Sequence, residues 1–186
     1  MMRIITGKSR GVKLLTLEGE NTRPTSERAK EAVFSMLSFD IEGRDVLDLY
    51  AGSGQMGLEA LSRYAKSATF VDNSREAVQI INKNILKTKL LDGATVVNSD
   101  VSVFLSRASS QYDIVFIDPP YALRAVSSAL ELMLKKNLLK PTSIIVCESA
   151  EENVFENAPA LSEQFEVIKR AKYGVAHITL LKLKGE

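Results

Sequence analysis

The chain has 186 residues, 45% of them hydrophobic, so it is long enough to bury a sizeable core within one main domain. Its single cysteine, Cys147, excludes an intramolecular disulfide, and its first residues lack the apolar stretch of a secretory signal. No apolar run reaches the roughly 18 residues that a membrane span needs, so we predict a cytoplasmic protein without membrane contact.

Charge is unevenly distributed along the chain, although the net charge is only +1. Residues 1–30 carry three glutamates against seven basic residues, which are Arg3, Lys8, Arg10, Lys13, Arg23, Arg28 and Lys30. Such a basic segment is typical of contact with a polyanion, but a solvated surface hairpin has the same composition.

The predicted elements begin with a β-hairpin in residues 3–17 and a helix within residues 22–38, which Thr25 or Ser26 can cap. Strands and helices then alternate, with strands at 45–51, 67–72, 94–100, 112–120 and 142–149, and helices at 55–65, 74–88, 101–108 and 125–139. Two further strands surround Gly174. This order predicts an α/β fold with a mostly parallel sheet that ends in a hairpin.

Acidic residues follow three of the predicted strands, namely Asp72, Asp100 and Asp118. Ligands of open parallel sheets bind at the carboxyl ends of the strands, so these side chains mark the expected site.

The glycine-rich turn "GSGQMG", residues 52–57, matches the G-x-G-x-x-G dinucleotide fingerprint, and Asp72 lies where a ribose-binding acid belongs. One interpretation of this turn is therefore a nicotinamide oxidoreductase. Asp48 argues against it, because a carboxylate four residues before Gly52 would repel a pyrophosphate. The same carboxylate suits a ligand with a cationic ammonium or sulfonium group, such as S-adenosylmethionine.

The motif "DPPY", residues 118–121, is the most informative one in the chain. The Asp118 carboxylate and the Pro119 carbonyl offer two acceptors, and the ring of Tyr121 can stack on a planar base. These groups match an exocyclic amino group on a nucleobase. The alternative is a proline-rich loop whose aspartate caps the next helix.

The motifs "DLYAGSG" and "DPPY" together resemble those of amino-group methyltransferases with the Rossmann-like class I fold. With "RPTSERAKEAVFSML", "LDLYAGSGQMGLEALSR" and a terminal "YG" strand, the chain resembles the bacterial 16S rRNA guanine-N2 methyltransferases of the RsmD type, from about Arg3 to Leu183. The resemblance implies methyl transfer from S-adenosylmethionine to N2 of a guanine in 16S rRNA. It also implies a monomer with a seven-stranded sheet. Four basic charges in the first thirteen residues are few for holding a large RNA alone, so we expect the substrate to be a partly assembled small-subunit particle.

The resemblance also implies residue roles and a division of the chain. Residues 1–22 would form a basic RNA-binding β-hairpin, and residues 23–186 the methyltransferase domain. The predicted catalytic residues are Asp118, Pro119, Pro120 and Tyr121. The predicted cofactor residues are Asp48, Ala51, Gly52, Ser53, Gly54, Asp72, Asn73, Asp100 and Val101. The predicted substrate contacts are Arg3, Lys8, Arg10, Arg23 and Thr25. No metal is predicted, because no cluster has metal-ligand spacing.

Other functions share parts of this pattern. An adenine-N6 methyltransferase acting on RNA or DNA, or a protein glutamine methyltransferase, would use "DPPY" in the same way on a planar NH₂ group. A non-catalytic RNA-binding module could retain the fold, although the intact "DPPY" argues against it. Glu148 ends a predicted strand near the cleft, where a functional, a capping and a surface role are all open.

Overall fold

A computed structural model describes residues 2–17, 24–37, 40–119, 123–150 and 152–185. Its elements are α1 Pro24–Met36, β1 Asp45–Leu49, α2 Gln55–Ser62, β2 Ser67–Asp72, α3 Arg75–Thr88, β3 Ala94–Asn98, α4 Val101–Arg107, β4 Tyr112–Ile117, α5 Leu123–Lys135, β5 Leu139–Ser149, α6 Leu161–Gln164, β6 Phe165–Tyr173 and β7 Ala176–Leu183.

The seven strands form one sheet in the order β3-β2-β1-β4-β5-β7-β6. Strands β1 to β5 pair in parallel, whereas β7 runs antiparallel to both β5 and β6. The predicted fold class, a mostly parallel sheet with a closing antiparallel hairpin, is therefore confirmed. The strand order reverses direction between β1 and β4, which is the point where open α/β sheets bind ligands.

Apolar side chains cover both faces of the sheet, which explains why its central strands are short and almost wholly hydrophobic. On one face, Phe70 and Phe116 pack with Phe34 of α1 and Leu58 of α2. The opposite face is packed against α4 and α5, with residues such as Val115, Ile145, Leu105 and Leu130.

Several boundaries differ from the predicted ones. Strand β1 ends at Leu49 because Tyr50 has a φ of 59°, which is incompatible with an extended strand. Strand β4 ends before Asp118, β5 begins at Leu139, and α6 was not predicted. Helix α1 begins at Pro24, a residue suited to the first helical position, so Thr25 and Ser26 lie inside the helix.

Residues 2–17 form a short hairpin whose strands meet at one antiparallel bridge between Arg3 and Lys13. The backbone N–H of Ile4 donates to the carbonyl of Val12 at 3.0 Å, which extends the pairing toward the turn. Met2, Ile4 and Leu14 are buried in the same core cluster as Phe34, so this hairpin packs onto the main body. Its assignment as an RNA-binding unit stays a prediction.

Candidate functional site

A cavity of about 520 Å³ opens at the carboxyl ends of the parallel strands. Of the predicted cofactor residues, it is lined by Asp48, Ala51, Gly52, Ser53, Asp72, Asn73, Asp100 and Val101, and Asp118 also borders it. The fold thus brings eight of these nine residues to one place, and their roles stay predictions. The lining also includes Leu17, Tyr50, Gln55, Met56 and Ser74, which the sequence did not indicate.

The ninth predicted cofactor residue, Gly54, is not part of the cavity lining but fixes the backbone of the glycine-rich turn. It has a φ of 76°, which favours glycine, and its N–H donates to the Ala51 carbonyl at 2.7 Å. A Cβ on Gly57 would lie 2.3 Å from the ring of Phe70, so α2 approaches the sheet closely only because residue 57 is a glycine. The glycine pattern is therefore explained by the turn and by helix packing.

Asp48 lies in β1 with its side chain almost wholly buried. Its Oδ2 accepts a hydrogen bond from the Gly57 N–H at 2.9 Å. Burial raises the pKa of the Asp48 carboxyl to about 7, with a smaller contribution from the charge of Asp72. A buried carboxyl of this kind at a cavity wall favours a cationic ligand group.

Asp72 joins the glycine-rich turn to the start of α3. Its Oδ2 accepts from the Gly52 N–H, and its Oδ1 accepts from the Ser74 N–H, both at 2.9 Å. Ser74 in turn caps α3 through the Ala77 N–H at 3.2 Å. A carboxylate has about four lone-pair sites, so Asp72 can still accept ribose hydroxyls.

Asp100 caps α4 through one of its oxygens. Oδ1 accepts from the backbone N–H groups of Ser102 at 2.8 Å and Val103 at 3.2 Å, and from the Ser102 hydroxyl. These hydrogen bonds, the Ser102 hydroxyl first, hold the pKa of Asp100 below its usual value. Among the described residues, Oδ2 accepts no hydrogen bond, which leaves it able to meet an amino group in the cavity.

Tyr50 is the aromatic residue of this cavity that sequence reasoning missed. It stands directly after β1, and its positive φ of 59° turns its side chain toward the cavity. Burial, together with the charge of Asp100, raises the pKa of its hydroxyl. The available signal was an aromatic residue two positions before Gly52, the first glycine of the turn.

Asp118 and Pro119 follow β4 directly, with Asp118 exposed and Pro119 half-buried. Asp118 also borders a second, smaller cavity of about 80 Å³, which lies between α1 and the sheet and includes Lys30, Phe116 and Glu148. The remaining predicted catalytic residues, Pro120 and Tyr121, lie outside the described residues. The same holds for Arg23 and for the side chain of Thr25.

The basic segment divides into exposed and buried charges. Arg3, Lys8, Arg10 and Lys13 are exposed on the hairpin. The ammonium of Lys8 lies 5.4 Å from the ring centroid of Tyr64, a neighbouring exposed aromatic residue.

Lys30, by contrast, is buried, so it is not part of the surface charge. Its Nζ pairs with the fully buried Glu59 at 3.2 Å and donates to the Arg3 carbonyl at 2.9 Å. Glu59 also accepts from the Ile5 and Thr6 N–H groups at 2.8 and 3.0 Å, and thereby fixes the hairpin to α2.

Other candidate groups carry no sign of chemistry in the described part of the chain. Burial raises the pKa of the Cys147 thiol to about 12, which makes it unreactive. No group of three or more metal-ligating side chains occurs among the described residues. None of the helices described is both long and apolar enough to span a membrane.

Comparisons with known proteins agree with this geometry. The family model described as "Conserved hypothetical protein 95" matches residues 2–182. The ribosomal RNA small subunit methyltransferase D of Haemophilus influenzae is 38% identical over 81% of this chain and 80% of the relative. The Escherichia coli protein of the same name is 38% identical over 86% of this chain and 80% of the relative.

A solved structure shares the fold of the whole chain. The putative methyltransferase yhhF from Escherichia coli superposes with a TM-score of 0.86 at 31% identity, covering 100% of this chain and 99% of that one. The resemblance noted from the sequence motifs is thereby confirmed. The chain belongs to the family of ribosomal RNA small subunit methyltransferase D, the RsmD type.

Proposed function

We propose that this protein transfers the methyl group of S-adenosylmethionine to the exocyclic N2 amino group of a guanine in 16S rRNA. One observation carries the proposal: Asp118, which directly follows β4, borders both the large cavity with buried Asp48 and the smaller cavity under α1. A group in that position can touch a cofactor on one side and a base on the other. The names of the relatives support small-subunit rRNA as the substrate.

The large cavity fits S-adenosylmethionine, whose sulfonium supplies an activated methyl group. Asp48 would hold a cationic group of the cofactor, because its buried carboxyl lacks any paired cation among the described residues. Asp72 would accept the ribose hydroxyls, with Asn73 beside it. Asp100 Oδ2 and the N–H groups near Val101 would meet the adenine, and Ala51, Gly52, Ser53 and Gly54 would form the wall of the turn.

The chemistry at the base requires positioning and charge stabilisation. The lone pair of guanine N2 is delocalised into the ring, which makes this nitrogen a poor nucleophile. Hydrogen bonds from the NH₂ group to Asp118 and to the Pro119 carbonyl would favour a pyramidal nitrogen aligned for attack. Formation of the N–C bond, with breakage of the methyl–sulfur bond of the cofactor, would leave a positive charge on N2. The Asp118 carboxylate would stabilise this charge until N2 loses a proton to the carboxylate or to solvent. Pro120 and Tyr121 would complete this loop, with Tyr121 stacking on the base.

The exposed hairpin supplies the RNA contact in this proposal. Arg3, Lys8 and Arg10 would neutralise phosphates, and Arg23 and Thr25 would lie beside the cofactor or the target base. So few charges suit a substrate that other molecules help to present. We therefore propose that a monomer acts in the cytoplasm on partly assembled small-subunit particles, with the guanine unpaired or flipped out.

The test uses methyl-labelled S-adenosylmethionine with unmethylated small-subunit RNA, both free and as particles, followed by digestion to nucleosides. Labelled N2-methylguanosine is the expected product, formed faster on particles. Label in N6-methyladenosine would overturn the choice of base, and absence of label despite cofactor binding would overturn RNA as the substrate. Equal or faster reaction on free RNA would contradict the role of the particle.

A further inference from the structure

The smaller cavity contains charged groups that the proposed methyl transfer does not use. It lies between α1 and the face of the sheet formed by β4, β5 and β7. Its floor is apolar, with Phe116, Val146 and Ile178, while Lys30 and Glu148 stand at its walls and Asp118 at its rim. An apolar slot with a few convergent charges is typical of a site for a planar, polar ring.

Asp118 and Glu148 line this cavity from two neighbouring strands. The last residue pair between β4 and β5 is Ile117 with Cys147, and Asp118 and Glu148 each come directly after it in the chain. Neighbouring strands of a sheet are about 4.8 Å apart. Two carboxylates that follow adjacent strands and border one cavity can therefore meet adjacent groups on one base edge.

Glu148 is half-buried, and no hydrogen bond or ion pair to its carboxylate is found among the described residues. Burial raises the pKa of Glu148, because removal from water disfavours the charged form of the carboxyl. A hydrogen-bond donor on a bound molecule would stabilise that charged form.

Lys30 provides the opposite charge in a fixed position. Its ammonium uses one donor on the Arg3 carbonyl at 2.9 Å and another on Glu59 at 3.2 Å. An ammonium has three donors, so these two contacts leave one donor unused, and Lys30 is among the residues that line the cavity. Because its side chain is 2% exposed, the ammonium is held in place before any ligand arrives.

We propose that Glu148 and Lys30 read the Watson–Crick edge of the target base and so specify guanine; the inference rests on the proposed function. Guanine presents an NH₂ donor at position 2, an N–H donor at position 1 and a carbonyl acceptor at position 6. With the NH₂ group at Asp118, the N1–H donates to Glu148 and O6 accepts from Lys30. Adenine would instead place the N1 lone pair against a carboxylate and its amino group against an ammonium.

The test uses 2,6-diaminopurine, which keeps the reacting amino group of guanine and changes the rest of its Watson–Crick edge. This base retains the amino group at position 2, but it has an acceptor at N1 and an amino group at position 6. Small-subunit RNA is ligated with guanine or 2,6-diaminopurine at the nucleotide mapped by the labelling experiment and assembled into particles. The measured quantity is the ratio of kcat/KM for guanine to that for 2,6-diaminopurine.

Wild-type protein should prefer guanine by at least about tenfold, since a hydrogen bond to a charged group contributes about 10- to 100-fold. Glu148→Gln keeps the shape of the side chain and adds an N–H donor that can serve the N1 acceptor, so its ratio should fall about tenfold or more. The affinity for S-adenosylmethionine should not change. Glu131→Gln, which alters an exposed carboxylate on α5, is the matched control and should keep the wild-type ratio.

Equal rates of the wild-type protein on the two bases would overturn the inference without any variant. An unchanged ratio in folded Glu148→Gln would overturn the role of Glu148. Absence of N2-methylguanosine on the guanine particles would instead contradict the proposed function itself, so the two failures are distinguishable.

Discussion

The buried carboxyl of Asp48 should make the stability of the ligand-free protein depend on pH, and Asp48→Asn tests this. Burial, with the charge of Asp72, raises its pKa from 3.8 to about 7 in the folded protein. Between these values the folded state keeps a proton that the unfolded state releases. The contribution of Asp48 to the free energy of unfolding is therefore fully present below pH ~4 and is lost as the pH rises to about 7.

The difference between the two pKa values corresponds to at most about 4 kcal/mol. Urea unfolding at several pH values between about 5 and 8 measures it, as the difference in unfolding free energy between wild type and Asp48→Asn. This difference should fall by about 1.4 kcal/mol per pH unit up to pH ~7 and then level off. Three other carboxyls have lowered pKa values, those of Asp45, Asp100 and Asp113. Their contributions to the free energy of unfolding are lost as the pH falls below about 4, and they cancel because both proteins contain these residues.

Binding of the cofactor should release the proton that the Asp48 carboxyl holds in the ligand-free protein. A cationic group placed at Asp48 favours the ionised carboxylate, so binding of S-adenosylmethionine at pH ~6 should release close to one proton and at pH ~8 almost none. Calorimetric titration in two buffers with different ionisation enthalpies measures this number. Asp48→Asn should release none, while Asp92→Asn, an exposed control, should match wild type. A stability difference that is flat with pH, or equal proton release by Asp48→Asn, would refute the reasoning.

Three further changes test other parts of the site. Asp118→Ala should abolish methyl transfer while cofactor affinity, measured by calorimetry, is retained; turnover near the wild-type rate would contradict the proposed chemistry. Glu59→Gln should lower the free energy of unfolding in urea by about 3–5 kcal/mol, because it leaves the buried ammonium of Lys30 without its counter-charge; a loss below about 1 kcal/mol would show that this pair is unimportant. Lys8→Glu with Arg10→Glu should weaken binding to small-subunit RNA and reduce the salt dependence by about two phosphate contacts. An unchanged slope of log K against log salt would exclude both residues from the interface.

The position of the site could be predicted from the sequence because parallel strands end at a common edge. Short apolar runs that alternate with helical periods define the strands, and strand β2 has the predicted bounds, Ser67–Asp72. Any acidic residue that follows such a strand must lie at that edge. Asp72, Asp100 and Asp118 therefore meet at one cavity although they are far apart in the chain.

The partners of these side chains could not be predicted, because they depend on tertiary packing. Counting charges placed Lys30 on a basic surface, whereas α1 turns it inward to Glu59. The carboxylate of Asp100 serves α4 as a cap, and Asp72 holds the glycine-rich turn, so both have structural duties that a motif does not reveal. Tyr50 reaches the cavity only because its backbone adopts a positive φ.

The contacts of the N-terminal hairpin bear directly on how RNA binding and methyl transfer would be aligned. Asn84 of α3 is fully buried, and its side chain accepts from the Leu15 N–H at 2.8 Å and donates to the carbonyls of Leu15 and Ser53, each at 2.9 Å. The Ser53 hydroxyl also contacts the sulfur of Met2 at 3.2 Å. The glycine-rich turn and the basic hairpin are thus bonded to the same buried amide. Because in-line transfer tolerates little misplacement, a hairpin fixed to the cofactor turn would set the distance between a bound RNA strand and the methyl donor.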